Sequence, residues 1–212
     1  MSPLENIRKK LVSQNLDAYA VPKNDEYFQE YSNPNILEYI TNFKGSAGLA
    51  LITKKENLLF VDGRYTTQAK KEAGKNFKII EINKESVKKI ISSYNCTMRI
   101  GYSPKLFTSL NLGMIFGNNC QMVPQKQEIR KHINKVYTKK NNFFYSLSKD
   151  IIGESVKSKI DRLIKVLQKK KVSNIYISSP ENVAWLLNIR GSDNPNSPIP
   201  YCQIILNKNK IY

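Results

Sequence analysis

Helix-like and strand-like patterns alternate along the first 124 residues, and this alternation is the strongest constraint on the fold. Ser2 and Glu5 form a capping box with Pro3 at the first helical position, which predicts an N-terminal helix. Apolar periodicity and turn residues predict the elements that follow. They are a helix to residue 14, a strand at 16–21, a helix at 36–40, a hairpin of strands 48–53 and 58–62, a helix at 65–73, a strand at 77–82, a helix at 84–94, a strand at 98–101, a helix at 103–117 and a strand at 120–123. This mixed order predicts an α/β layer domain over residues 1–124.

A polar connection and a second, shorter α/β pattern follow this domain. Residues 125–150 are rich in Lys and Asn and show little periodicity, which is typical of a linker. The patterns beyond it predict a helix at 156–167, a strand at 175–177, a helix at 180–187, a loop at 188–200, a strand at 201–206 and the start of a returning strand at 211–212. A unit of one hairpin arm has an unpaired edge and little core. We therefore expect residues 151–212 to be an incomplete second domain and the chain to be a fragment of a longer polypeptide.

The net charge of +17 raises the possibility of nucleic-acid binding. However, only six of the 34 basic residues are arginines, and the lysines are spread along the whole chain. Dedicated readers of nucleic acid cluster their charge on one element and favour arginine for bidentate contacts. We therefore expect no specific nucleic-acid partner.

Several other functional classes are disfavoured by composition. No apolar run approaches the roughly 20 residues that span a bilayer, and the N-terminus lacks a signal-peptide pattern. Cys96, Cys120 and Cys202 are scattered, which favours free thiols in a reducing compartment and disfavours a zinc site. The only histidine, His132, lies in the basic linker and is interpreted as a solvated residue. The expected location is the cytoplasm, with no membrane contact and no metal ligand in this chain.

Two glycine-containing motifs carry most of the functional information. Gly45-Ser46-Ala47-Gly48 lacks the spacing of a nucleophile elbow or a phosphate loop, so it is interpreted as a close packing turn. Asp62-Gly63-Arg64-Tyr65 follows a predicted strand. A permanently charged guanidinium at such a turn can hold a carbonyl or carboxylate group. The alternative interpretation of this motif is a turn whose exposed Arg64 simply pairs with Asp62.

A specific resemblance emerges from four motifs taken in order. They are Gly45-Ser46-Ala47-Gly48, the stretch from Phe60 to Gln68 that reads Phe-Val-Asp-Gly-Arg-Tyr-Thr-Thr-Gln, Gly101-Tyr102-Ser103-Pro104, and the stretch from Ala184 to Asp193 that reads Ala-Trp-Leu-Leu-Asn-Ile-Arg-Gly-Ser-Asp. Together they resemble the N-terminal part of a bacterial Xaa-Pro aminopeptidase, in the aminopeptidase P group of the creatinase/prolidase superfamily. The resemblance implies a creatinase N-terminal domain, a ribonuclease H-like mixed sheet flanked by helices, followed by a truncated second domain of related fold.

The resemblance also implies where the chemistry of such an enzyme resides. In the family a C-terminal pita-bread domain holds two divalent ions, usually manganese, on carboxylates and one histidine, and it cleaves the peptide bond before a penultimate proline. None of those motifs has a counterpart here, so no catalytic residue and no bound cofactor are assigned to this chain. The resemblance gives Arg64 a substrate-binding role, supported by Asp62 and Tyr65. Arg190 and Asp193 could approach the active site, although a salt bridge that orders their Pro-rich loop is the favoured alternative.

Two loops depart from the family pattern. The stretch Asp25-Glu26-Tyr27-Phe28-Gln29-Glu30-Tyr31 lacks a histidine that is usual there, and Ser103 and Phe107 replace an aspartate and a histidine. We expect a non-catalytic N-terminal fragment of a proline-specific metalloaminopeptidase, which would need a separate catalytic pita-bread polypeptide and could form a homodimer. The alternatives are a stand-alone binding or oligomerisation module, a split-gene remnant and, less favoured, a basic nucleic-acid binder.

Overall fold

The computed structural model describes residues 2–29, 35–94, 96–125, 143–194, 196–208 and 210–212. The chain divides into two compact units, Met1–Lys139 and Lys140–Tyr212. The division falls inside the connection expected at 125–150. None of the helices over the described residues combines the length and the apolarity that a membrane span requires.

The first unit contains a mixed six-stranded sheet. Its elements over the described residues are α1 (Pro3–Ser13), β1 (Ala18–Pro22), α2 (Ile36–Thr41), β2 (Gly48–Thr53), β3 (Asn57–Val61), α3 (Thr66–Ala73), β4 (Lys78–Glu81), α4 (Val87–Ser92), β5 (Met98–Tyr102), α5 (Ser109–Phe116) and β6 (Cys120–Pro124). The strand order is β4-β3-β2-β1-β5-β6. The pairs β1–β2 and β2–β3 are antiparallel, and the pairs β3–β4, β1–β5 and β5–β6 are parallel.

Helices cover both faces of this sheet. Along β1, Tyr19 and Val21 belong to one buried cluster, while Ala18 and Ala20 belong to the other, because successive side chains of a strand point to opposite faces. The first cluster also contains buried residues of α1, α2 and α3, and the second contains those of α4 and α5. The central strands are therefore buried on both sides, and the expected mixed sheet flanked by helices is confirmed.

Local capping explains the helix boundaries. The Ser2 Oγ accepts the Glu5 N–H at 3.2 Å and the Glu5 carboxylate accepts the Ser2 N–H at 2.8 Å, so the predicted capping box is present. The helix predicted at 103–117 is divided in the structure: Pro104–Leu106 form a short 3-10 helix after Ser103, and α5 begins only after Thr108, whose side chain accepts the Asn111 N–H. Phe107, the residue before Thr108, has an extended backbone because its buried ring packs edge-on against the rings of Tyr102 and Phe116.

The second unit has two small antiparallel sheets. Its elements are β7 (Phe144–Ser146), α6 (Val156–Lys169), β8 (Asn174–Ile177), α7 (Pro180–Leu187), β9 (Ile189–Gly191) and β10 (Ile204–Asn207). β8 pairs with β10, and β7 pairs with β9. Neither β7 nor β9 is predicted from the sequence, because the first lies in the expected linker and the second in the expected loop. Both have only three residues, too few to show a strand period.

Candidate functional site

The sheet topology gathers the sequence motifs of the first unit at one edge. β1, β3 and β5 end at the edge where β2 begins, because β2 is antiparallel to both of its neighbours and β5 is parallel to β1. The connections at this edge contain residues 24–29, 43–48, 62–65 and 103–107, which we call the motif edge. Motifs that are far apart in the sequence thus lie on one side of the domain.

Arg64 is held on the outside of its turn. The Asp62 Oδ1 accepts both the backbone N–H and the Nε–H of Arg64, each at 2.9 Å. The Arg64 side chain remains 74% exposed, and its Cζ lies 5.5 Å from the centroid of the Tyr65 ring. The hydrogen bonds from Arg64 hold the pKa of Asp62 below the usual range of an aspartate. The carboxylate is therefore a stable anchor for the guanidinium, which faces solvent.

A glutamate side chain lies close to the glycine of this turn. A Cβ atom at Gly63 would lie 3.1 Å from an oxygen of Glu81, at the end of β4. A side chain at position 63 would require the Glu81 carboxylate to shift by a few tenths of an ångström. Gly63 thus leaves room for the Glu81 side chain beside the Arg64 turn.

The other glycine motif packs directly against this turn. The Ser46 Oγ lies 2.7 Å from the Tyr65 hydroxyl oxygen, and the rings of Phe43 and Tyr65 meet edge to face at 5.9 Å. Gly45 lies so close to the Phe43 ring that a Cβ atom there would overlap it. These contacts support the interpretation of Gly45–Gly48 as a close packing turn, and they bring the two motifs into one cluster.

The loops that depart from the family pattern have structural roles. The Asp25 Oδ1 accepts the backbone N–H groups of Tyr27 at 2.9 Å and Gln29 at 3.0 Å, so it organises its own turn. Ser103 is buried, and Phe107 belongs to a core cluster. Glu30 and Tyr31, the last residues of the departing stretch, lie outside the described residues.

Arg190 and Asp193 contact the backbone of their own unit. The Arg190 Nη1 donates to the Ile189 carbonyl oxygen at 2.8 Å, and the Asp193 Oδ2 accepts the Tyr201 N–H at 2.8 Å. These bonds favour a role in ordering the Pro-rich loop, with backbone groups as the partners. An approach of these residues to an active site stays a prediction.

Sequence reasoning overlooked Lys159, a buried cation in the second unit. It is only 6% exposed, and its Nζ donates at 2.6 Å both to the Trp185 carbonyl oxygen and to the Asn188 Oδ1. The Nζ also lies 4.2 Å from the centroid of the Trp185 ring. Lys159 follows Val156 by three residues and precedes Leu163 by four, and this helical spacing on the apolar face could have identified it.

A groove opens beside Lys159. Its volume is about 620 Å³, and its walls come from α6, β8 and α7, including Arg162, Leu163, Tyr176 and Trp185. Lys159 is already bonded within the fold, so it serves the packing of α6 against α7. We assign no ligand to this groove.

A metal centre does not fit the residues that the structure describes. Among them, no group of three or more His, Cys, Asp or Glu side chains is arranged to hold a metal ion. His132 lies outside the described residues. The motif edge offers an arginine and hydroxyl groups, which suit the binding of a peptide group.

Fold and motifs together define an N-terminal lobe of the creatinase/prolidase type. Two family models, both described as the Creatinase/Prolidase N-terminal domain, match this chain. One matches residues 3–132 and the other matches residues 136–212. The chain belongs to this family, which confirms the resemblance stated above.

Two eukaryotic aminopeptidases are among the relatives of this chain. Xaa-Pro aminopeptidase 1 of Dictyostelium discoideum is 26% identical over 227 residues, which cover 98% of this chain and 36% of the relative. A probable Xaa-Pro aminopeptidase P of Pyrenophora teres f. teres is 29% identical over 216 residues, which cover 92% of this chain and 32% of the relative. The chain thus spans about a third of these relatives. The bacterial affinity suggested by the motifs stays a prediction.

A solved structure shares the fold. It is the X-prolyl aminopeptidase of Caenorhabditis elegans, described as a cytosolic enzyme with a di-nuclear active site. The TM-score is 0.86 at 24% identity, and the match covers 99% of this chain and 38% of that one. This likeness confirms the expected creatinase-type α/β fold.

Proposed function

We propose that this chain is the N-terminal, substrate-facing region of an Xaa-Pro aminopeptidase, an enzyme that removes an N-terminal residue preceding proline. The family membership and the relatives' names support this assignment. The observation that carries it is the guanidinium of Arg64, exposed at the motif edge within the family's Asp-Gly-Arg-Tyr motif and anchored by Asp62.

Arg64 would bind the peptide substrate, and Asp62 and Tyr65 would support it. A guanidinium donates several N–H bonds from one plane, which suits a peptide carbonyl or a terminal carboxylate. The bond from its Nε to Asp62 restricts the rotation of the side chain before a substrate arrives, so less entropy is lost on binding. The chain itself would provide binding and no catalytic group.

The catalytic centre would lie in a pita-bread domain outside these residues. Two divalent ions, manganese in this proposal, would be held there, and the neighbour with a di-nuclear active site supports that view. A separate catalytic polypeptide is one possible source of that domain, and the proposed location is cytoplasmic. Purified chain with manganese should release no product from an Xaa-Pro peptide, and manganese-dependent cleavage by the chain alone would contradict this part of the proposal.

A chimeric enzyme tests the role of Arg64. This chain would replace the matching region of the Dictyostelium Xaa-Pro aminopeptidase 1, and kcat/KM for an Xaa-Pro peptide would be measured. Arg64→Ala should lower kcat/KM by about 10- to 100-fold, because a hydrogen bond from a charged group contributes about 1.5–3 kcal/mol. Arg64→Lys should restore only part of the activity, since an ammonium lacks the planar fork.

Arg162 provides a matched control for this experiment. It is an exposed arginine, ion-paired with Glu154 at 2.8 Å in the second unit. Arg162→Ala should leave kcat/KM unchanged. Equal activity of the Arg64→Ala chimera and the parent chimera would refute the proposed substrate contact.

A second candidate function is self-association, and one feature of α5 favours it. Leu110 and Met114 are 72% and 71% exposed and lie four residues apart on the same helix face. A second copy of this chain, packed through the same face, would bury both side chains in a homodimer. Sedimentation of the chain and of Leu110→Lys would test this: a dimer that dissociates on substitution supports it, and a monomeric parent chain excludes it.

A further inference from the structure

We propose that Ser46 is a positioning residue for Arg64, acting through the hydroxyl group of Tyr65. This inference rests on the proposed function, because the direction of Arg64 matters to the enzyme only if Arg64 contacts the substrate. It also gives a role to the serine of the Gly-Ser-Ala-Gly motif beyond that of a packing turn.

The Tyr65 ring is fixed at two points. Its hydroxyl oxygen lies 2.7 Å from the Ser46 Oγ, a short hydrogen bond, and its ring meets the Phe43 ring edge to face. The Phe43 ring is itself fully buried. Loss of the hydroxyl contact would leave the outer end of the Tyr65 ring without its partner on the loop.

The Tyr65 ring in turn limits where the guanidinium can lie. The Arg64 Cζ is 5.5 Å from the ring centroid, within the range of a cation–π contact. Asp62 holds the Nε of the same side chain at 2.9 Å. Asp62 thus fixes one edge of the guanidinium, while the Tyr65 ring limits how far the guanidinium plane can move.

The loop that carries Ser46 is braced independently of Arg64. The backbone N–H of Lys44 donates to the Glu72 Oε2 at 2.8 Å, and Gln68 donates to the other oxygen of Glu72 at 3.0 Å. Gly45 packs on the Phe43 ring. Since α3 and the core hold the loop in place, the Ser46 hydroxyl is a fixed point from which the Tyr65 ring is oriented.

Arginine side-chain NMR of the full chain tests this proposal directly. The chain has six arginines, so its Nε–Hε spectrum is simple, and Arg64→Lys identifies the Arg64 cross-peak by removing it. Ser46→Ala should shift that cross-peak, because the ring-current field at Arg64 changes when the Tyr65 ring moves. Ser46→Thr should return it to its original position, since threonine restores a hydroxyl group.

Tyr65→Phe distinguishes positioning from a merely structural effect of the serine. If Ser46 acts through the Tyr65 hydroxyl, Tyr65→Phe alone shifts the Arg64 cross-peak, and adding Ser46→Ala causes no further shift. Additive shifts, or no rescue by threonine, would overturn the proposal. Ser93→Ala is the control, because the Ser93 hydroxyl donates to the Ile90 carbonyl oxygen in α4, and this variant should leave the peak in place.

The two proposals can fail separately. An unshifted cross-peak in Ser46→Ala overturns the role of Ser46, whatever the chimera shows. A shifted peak together with full activity of the Arg64→Ala chimera upholds the positioning and refutes the substrate contact. If Ser46→Ala does not fold, Tyr65→Phe decides the matter, and an unshifted peak in that variant overturns the proposal.

Discussion

At the residue scale, tight packing around glycines shapes the motif edge more than its polar contacts do. A Cβ atom at Gly45 would overlap the Phe43 ring, and one at Gly63 would lie 3.1 Å from a Glu81 oxygen. The sequence predicts the exposed Arg64 from its motif, but it does not reveal that Ser46 reaches Tyr65, nineteen positions away. The predicted β2–β3 hairpin brings the two motifs to the same end of these strands, but it does not specify which of their side chains meet.

A change at Gly45 should therefore destabilise the first unit. A methyl group in Gly45→Ala would overlap the Phe43 ring, and forced repacking of this kind costs about 1–3 kcal/mol. Gly113→Ala is the control, because no atom lies within 4 Å of a Cβ there, and alanine is the better helix former by about 1 kcal/mol. Urea unfolding of both variants measures the difference, and equal midpoints would contradict the packing role of Gly45.

Tyr94 should titrate late and make stability depend on pH. Burial, followed by the hydrogen bond to Glu56 at 2.9 Å, raises the pKa of Tyr94 to about 12. The unfolded phenol loses its proton near pH 10. The contribution of Tyr94 to stability is thus complete below about pH 10 and is lost as the pH rises towards about 12.

Comparison of variants isolates this titration. The ultraviolet titration of the chain minus that of Tyr94→Phe gives the curve of Tyr94 alone. Glu56→Gln should lower the pKa of Tyr94, because the carboxylate charge is removed, and burial should keep it above the ordinary value. An unchanged curve in Glu56→Gln would show that the hydrogen bond does not contribute.

At the element scale, apolar periodicity predicts the longer helices and strands but misses the shortest strands. The sequence correctly predicts α1, β1, β2 and β3, because each contains an apolar pattern with clear caps or turn residues. It misses β7 and β9, which depend on pairing with each other and not on a pattern of their own. It also merges α5 with the short 3-10 helix Pro104–Leu106, which Ser103 and Pro104 begin, because the extended conformation of the buried Phe107 between them leaves no local sequence signal.

Lys159 should be necessary for the packing of α6 against α7. Lys159→Met keeps the length of the side chain but leaves the Trp185 carbonyl oxygen and the Asn188 amide without their donor. Buried unsatisfied polar groups cost about 1–3 kcal/mol each, so the second unit should unfold at lower urea. Trp185, the only tryptophan of the chain, makes its fluorescence a direct probe of that unit.

An exposed lysine on the same helix serves as the control. Lys165 lies in α6 and is exposed, so Lys165→Met should unfold within error of the parent chain. If Lys159→Met were equally stable, the two short hydrogen bonds would have no net effect.

The charge of the whole molecule is large, but it belongs to no single element. The lysines are distributed over the chain, as the sequence already indicates. Two arginines with described ion pairs, Arg64 and Arg162, bind the carboxylates of Asp62 and Glu154. The sequence gives the net charge. It cannot give the distances that assign each arginine to a partner.

Binding to RNA should accordingly be weak and without sequence preference. Dispersed lysines neutralise few phosphates at one time, so the slope of log K against log salt should be shallow. Fluorescence titrations with two unrelated RNA oligomers at several salt concentrations measure both properties. A steep slope together with preference for one oligomer would favour the nucleic-acid alternative.

The β2–β3 turn at Lys54–Glu56 lies at the end of the sheet opposite Arg64, a strand length of about 17 Å away. A fluorophore attached at the exposed Lys55 would report the binding of a second polypeptide to this domain while leaving the Arg64 turn untouched. The domain thus has a natural attachment point for an assay of assembly.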